Sequence, residues 1–244
     1  MISTRRSVLA GVGATALAAP ARGQTLGPGV TLTGYQSGGV SIPTVLFEPR
    51  RPDGALSGGG LVLLHGGGGA QIDVPRFFSH AVRLTDHGLT VAMPNYFAGS
   101  GEAGEVRRSM TERFRVVVDD AVVWLAARPG VDRSRLALMG YSRGGHLATE
   151  VAVTTADVRA AIGVASAGGL EPAAIRRTPP VLLIYAKGDP VVRPHYTRRW
   201  AGVLRNREVP VTLRELDSPR HIFEDVEWSD IFSSARTFLT RHLV

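Results

Sequence analysis

Three short segments, far apart along the chain, carry residue types that could do nucleophilic chemistry together. The first is Gly140-Tyr141-Ser142-Arg143-Gly144, between the apolar run Leu136-Ala137-Leu138-Met139 and a run of helical character. A G-x-S-x-G pentapeptide between a strand and a helix is a nucleophile elbow, a turn so sharp that its flanking positions admit only glycine. A serine hydroxyl is too weak an acid to attack unaided and needs a base beside it. The second segment, Gly188-Asp189-Pro190, closes an apolar run. The third, Ser218-Pro219-Arg220-His221, comes late in the chain. Histidine can take the serine proton and return it to a leaving group, and an aspartate can hold the imidazole in the right tautomer. His221 competes with six other histidines, of which His195 is the main rival. Asp217 is the rival acid. His65 should brace its own turn, His146 should pack beneath the elbow, and His80, His87 and His242 read as surface positions.

Directly after Leu61-Val62-Leu63-Leu64 stands His65-Gly66-Gly67-Gly68-Gly69. A glycine turn at a strand end offers backbone N–H groups to a developing oxyanion. The candidate donors are the N–H of Arg143 and that of Gly66 or Gly67. The Arg143 side chain reads either as an orienter of a substrate carboxylate or as a surface ion-pair partner. Tyr96 and Phe97, in the loop after a predicted strand, are candidates to line the substrate pocket. H-E-x-x-H is absent, no histidine/acid cluster has metal-ligand spacing, and the glycine turn lacks the lysine and serine of a phosphate loop. Neither a metal nor another cofactor is expected.

With HGGGG, Met93-Pro94-Asn95-Tyr96-Phe97, GYSRGG, the Gly188-Asp189-Pro190 segment and the late His221 in view, residues 40–244 resemble the dienelactone hydrolase family of α/β-hydrolases. The order nucleophile, acid, histidine is the one that fold uses, and it favours Asp189 and His221 over their rivals. Dienelactone hydrolases usually carry cysteine at the elbow and a glutamate at the oxyanion turn. Here Ser142 and His65 stand in those places. The resemblance therefore implies a serine hydrolase for carboxylic esters or lactones. A peptidase or acyl-peptide hydrolase of the same fold, and a non-catalytic binding protein built on it, are the alternatives.

These residues must be positioned by alternating strands and helices. Apolar runs predict eight strands, at residues 30–35, 40–47, 61–64, 89–93, 136–139, 158–164, 181–185 and 209–215. Helical spacing of apolar residues predicts helices over 74–86, 105–127, 195–205 and 227–242, besides the one after the elbow. Short continuous apolar strands suit a mostly parallel sheet covered on both faces. Residues 167–179 leave room for one helical turn, not for a large cap, so the mouth should be framed by loops 96–105, 167–175 and 190–196.

The 244 residues suit a single α/β domain over 30–244, preceded by a flexible lead-in at 22–29 rich in glycine and proline. Cysteine is absent, which excludes thiol chemistry and a disulfide framework. Arg5-Arg6, an apolar stretch and Ala19-Pro20-Ala21 make residues 1–21 read as a secretory signal, with the arginine pair suggesting twin-arginine export to a periplasmic or external location. That segment is too short for a good membrane span, and no stable insertion is expected after processing. The formal net charge is +7, and all but one of the 28 basic residues is arginine, the exception being Lys187. The arginines are scattered rather than gathered into a stripe, which disfavours nucleic acid as a partner. A small-molecule ester or lactone, met by a monomer or homodimer, is the expected partner.

Overall fold

A computed structural model describes residues 23–51, 53–100 and 111–244. The expected export signal, and the stretch 105–110 of the second predicted helix, lie outside the described residues. Nine strands form one sheet in the order β1-β2-β3-β5-β4-β6-β7-β8-β9. They are β1 (Gln24–Gly27), β2 (Val30–Ser37), β3 (Val40–Phe47), β4 (Gly60–Leu64), β5 (Thr90–Pro94), β6 (Leu136–Tyr141), β7 (Ala160–Val164), β8 (Val181–Ala186) and β9 (Val211–Leu216). From β5 to β9 every neighbouring pair is parallel. The β1, β2 and β3 pairings at the other edge are antiparallel. This is the mixed but mostly parallel α/β-hydrolase sheet that the motifs imply.

The strand expected to be missing is β1. The lead-in at 22–29 was expected to be flexible on its glycine and proline content, yet Gln24 pairs with Leu32 and Thr25 with Thr31. Pro28-Gly29, with Gly29 at φ 71°, supplies the hairpin turn that folds the segment back onto β2. Its turn residues serve the pairing, and among the described residues the sheet therefore has nine strands rather than eight.

The helices are α1 (Ala70–Thr85), α2 (Thr111–Ala126), α3 (Arg143–Thr154), α4 (Pro194–Arg205) and α5 (Asp225–Leu243). Alternate residues of the central strands feed two cores. Leu61 and Leu63 point toward α1 and α5, where Phe77, Trp228 and Phe232 pack edge to face. Val62 and Leu64 point toward α2, α3 and α4, with Phe114, Val117, Leu147 and Trp200. Period two in the strands thus separates the two faces. The first helix starts at Ala70, four residues before the apolar pattern suggested. Pro75 stands inside it, past the first turn, and removes one helical hydrogen bond. His80, expected at the surface, is 8% exposed and lies flat on Phe232, with ring centroids 4.4 Å apart. Among the described residues, no helix is long and apolar enough to cross a membrane.

Residues 167–179 hold only a short 3-10 turn, Pro172–Ala174. No cap lies between β7 and β8, so the carboxyl ends of β6, β7 and β8 face a cleft bordered by loops.

Candidate active site

Four parallel strands deliver the site. Leu64 ends β4 and passes into the glycine turn; Tyr141 ends β6 and hands Ser142 to α3. Ala186 ends β8 just before Asp189, and Leu216 ends β9 just before the loop bearing His221. Parallel strands put their carboxyl ends on one edge, where crevices form in open α/β sheets. That shared edge lets residues 79 positions apart meet: His221 Nε2 lies 3.0 Å from Ser142 Oγ.

The elbow is strained and the strain is held in place. Ser142 has φ 51° and ψ −117°, a conformation that non-glycine residues rarely occupy. A Cβ at Gly140 would run into the carbonyl of Gly144, and one at Gly144 into the carbonyls of His65 and Leu64. Both glycines are therefore required by close approach of backbone. The Ser142 N–H bonds to Val164 O at 2.8 Å, fastening the turn to β7.

Asp189 and His221 are oriented just as tightly. The Asp189 side chain is fully buried. Its Oδ1 accepts the N–H groups of Val191 and Val192 at 2.8 and 2.9 Å, which leaves Oδ2 for His221 Nδ1 at 2.7 Å. A carboxylate can only accept, so Nδ1 carries the proton and the Nε2 lone pair faces the serine. The Tyr141 hydroxyl donates to the His221 carbonyl at 2.9 Å and holds the loop from below. The rivals fall elsewhere. Asp217 is 97% exposed beside Lys187, and His195 packs at a tilt against Tyr196 at the start of α4.

The glycine turn resolves the choice between its two candidate donors. The Gly66 N–H is spent on Asp73 Oδ2 at 2.6 Å, so Gly66, expected as a donor, has no free N–H to offer. Asp73 is buried in the first turn of α1 and is also paired with Arg76. Burial raises its carboxyl above the usual range, while the Gly66 N–H and Arg76 oppose the rise. Gly67 lines the cleft beside Ser142 and Arg143. The Arg143 N–H is at the first position of α3, where no intrahelical acceptor exists and the helix dipole favours negative charge.

His65 braces this turn from behind. Its Nδ1–H donates to Gly66 O at 2.8 Å, and its ring lies flat on Tyr96 with centroids 4.0 Å apart. Burial lowers its pKa to about 4, so it stays neutral near pH 7. Tyr96, expected to line the substrate pocket, is fully buried and donates its hydroxyl to His65 O at 2.9 Å. Phe97 is half-buried and packs its edge on His65 and its face near Phe114. Both aromatics support the turn, and a ring next to a loop could not be told from a pocket ring by sequence. The cleft, about 640 Å³, is instead bordered by Phe114, Arg143, His146, Gly168, Val192 and Tyr196, among others. Among the described residues no group of three histidines or acids is placed to hold a metal ion.

Sequence reasoning missed four polar residues here: Asp73, Arg115, Glu150 and Thr197. An acid or arginine on an otherwise apolar helix face could have marked the first three; no such signal marks Thr197.

Comparison with known proteins bears on the fold and the family. A 120-residue stretch is 33% identical to an ethyl acetate hydrolase of Pseudomonas putida; it covers 47% of this chain and 35% of that enzyme, so the chain matches only about a third of its relative's length. An esterase of Thermogutta terrifontis, solved with butyrate bound, superposes with a TM-score of 0.68 at 18% identity, covering 88% of this chain and 94% of that one. An acylaminoacyl peptidase of Pyrococcus horikoshii also gives 0.68, at 14% identity, over 88% of this chain and 42% of its own. At such identities these two likenesses speak for the fold. The dienelactone hydrolase family model matches residues 42–232. That span is most of the 244 residues, and the chain belongs to the dienelactone hydrolase family.

Proposed function

We propose that this protein is a cofactor-free serine hydrolase of carboxylic esters or lactones, working through an acyl-enzyme on Ser142. The observation that carries the reading is the unbroken chain Ser142 Oγ, His221 Nε2, His221 Nδ1, Asp189 Oδ2, with links of 3.0 and 2.7 Å. It is supported by the family membership and by the esterase fold neighbours.

Ser142 Oγ attacks the substrate carbonyl carbon as its proton passes to His221 Nε2. The carbonyl electron pair moves onto oxygen, and the oxyanion accepts hydrogen bonds from the N–H groups of Gly67 and Arg143. Preorganised donors of this kind lower the barrier by about 3 kcal/mol each. Asp189 stabilises the imidazolium. The intermediate collapses, the C–O bond to the alcohol breaks, and His221 gives its proton to the departing oxygen. In a lactone that oxygen stays tethered to the acyl group. Water then attacks the acyl-enzyme with His221 as base, and Ser142 Oγ leaves with the proton. The reading extends to export: the arginine pair and apolar stretch of residues 1–21 support secretion.

The test is hydrolysis of p-nitrophenyl acetate by the wild-type protein and by Ser142→Ala. The variant should keep its fold and lose about 10⁴-fold or more in kcat/KM. Unchanged turnover by a folded Ser142→Ala protein rules the mechanism out. Parallel assay of an aminoacyl amide separates ester from peptide hydrolysis.

A further inference from the structure

The wall of the cleft that follows β7 begins as a loop without regular secondary structure, yet each of the residues 166–169 is held. Ser166 O accepts the Thr197 hydroxyl of α4 at 2.6 Å. The Ala167 N–H points at His146 Nε2, 3.4 Å away. Gly168 lies so close to the Trp200 ring that a Cβ there would collide with it. The Gly169 N–H donates to Glu150 Oε1 at 2.7 Å.

His146 and Glu150, which take the two N–H groups, are four residues apart on α3 and so lie one above the other on one helix face. Each makes a second attachment. The His146 Nδ1–H donates to the carbonyl of Ser142 at 2.7 Å, where the His146 backbone N–H also arrives at 3.1 Å. The ring is thus a donor toward the elbow and an acceptor toward the loop, which requires the neutral form with the proton on Nδ1. Burial lowers its pKa and favours that form. Glu150 Oε2 receives Arg115 Nη2 at 2.7 Å and Nε at 3.2 Å. Arg115 belongs to α2, which borders the cleft through Thr111 and Phe114. Glu150 is only 4% exposed, and a buried carboxylate of this kind is costly unless fully partnered.

We infer that His146 and Glu150 are positioning residues that hang both walls of the cleft on the helix behind the nucleophile and so set which acyl groups fit beside Ser142. A two-rung ladder results: His146 ties loop 166–169 to the backbone of Ser142, and Glu150 ties the same loop to α2. The wall is thereby held near the reacting atom, although among the described residues no cap holds it from outside. This inference rests on the ester-hydrolase reading for its substrate, while the ladder can be observed without any substrate.

The experiment compares the full chain with His146→Phe and His146→Gln. Phenylalanine keeps the ring volume and loses both bonds. Glutamine keeps a donor and an acceptor on one side chain. Two quantities are read: deuterium uptake of the peptide covering residues 165–170, and the ratio of kcat/KM for p-nitrophenyl octanoate to that for the acetate. His146→Phe should speed exchange in that peptide and change the ratio by about tenfold or more, the scale by which pocket fit discriminates acyl groups. His146→Gln should bring both back to within about threefold of wild type. Should His146→Phe fail to fold, Glu150→Gln serves in its place: it keeps the Gly169 acceptor, loses the charge opposite Arg115, and should move the ratio by about threefold or more. Equal losses on both esters, or unchanged exchange in a folded His146→Phe, overturn the ladder. Faster exchange in a protein whose wild type turns over neither ester upholds the ladder as a structural tie and overturns its assigned role in acyl selection together with the ester reading.

Discussion

The two neighbouring strands β6 and β7 each lead into a non-glycine residue at positive φ and then part. Ser142 and Ala165 are both non-glycine residues at positive φ, 51° and 46°. Each still gives its N–H to the adjacent strand, Ser142 to Val164 O and Ala165 to Ile184 O, both at 2.8 Å. After Ser142 the chain enters α3 at once, and the turn is shaped from within by Gly140 and Gly144. After Ala165 no helix follows, and the loop is shaped from without by Thr197, His146, Trp200 and Glu150, with the Thr197 contact spanning 31 positions. A non-glycine residue held at such a sparsely populated backbone conformation costs about 1 to 3 kcal/mol. At the elbow part of what fixes the turn is local, Gly140 against Gly144, with β4 and β7 adding the rest, whereas at the loop the fixing side chains all come from other elements. The reacting atom is thereby placed by a five-residue turn seated on its two neighbouring strands, and the space around it by side chains from α3 and α4.

The comparison can be broken first at the acid. Asp189→Asn keeps the shape of the side chain but disturbs the His221 tautomer, and kcat/KM on a short ester should fall by about 10⁴-fold. Asp217→Asn, at the exposed rival, is the control and should leave the rate unchanged. Comparable losses in both would mean that the buried carboxylate does not orient the base. Next comes the elbow itself. Gly140→Ala forces a methyl group into the Gly144 carbonyl, and chemical denaturation should report a loss of about 3 kcal/mol or more.

The turn facing the elbow supplies a pH test. His65 has a folded pKa of about 4, below the unfolded value of about 6.5. Between those values the unfolded chain binds the extra proton, so stability falls as pH drops from about 6.5 to 4, by about 3 kcal/mol from this group. His65→Phe should flatten that part of the stability curve, and an unaltered slope would show that His65 is not the titrating group. The smallest effect is expected in the loop. Gly169→Ala meets nothing nearer than Glu150 Oε1 at 3.9 Å and should change stability by less than about 1 kcal/mol. A loss matching that of Gly140→Ala would erase the distinction between the two strand ends.

What could be read from sequence follows the same division. The elbow was legible because its requirements sit within five adjacent residues, and the strands because their apolar runs are short and continuous. His221 and Asp189 emerged from chain order, a rule about topology rather than about neighbours. The choice between Gly66 and Gly67 was closed to sequence, since it depends on Asp73 turning back from α1 to take one N–H. Tyr96 was misread because a tyrosine after a strand end can face a cleft or a core, and only the stacking on His65 decides. His80 was misread because its partner, Phe232, comes from the far end of the chain. The pairing of β1 was hidden by turn residues that served a hairpin. His146 was rightly set beneath the elbow, but its second bond, to Ala167, required the loop to be in view.

The most direct test of the central claim is to treat the full-length protein with a fluorophosphonate and locate the adduct by mass spectrometry. The account predicts a single adduct on Ser142, absent from Ser142→Ala and formed far more slowly in His221→Ala. A folded wild-type protein that hydrolyses esters while its Ser142 stays unmodified would contradict it.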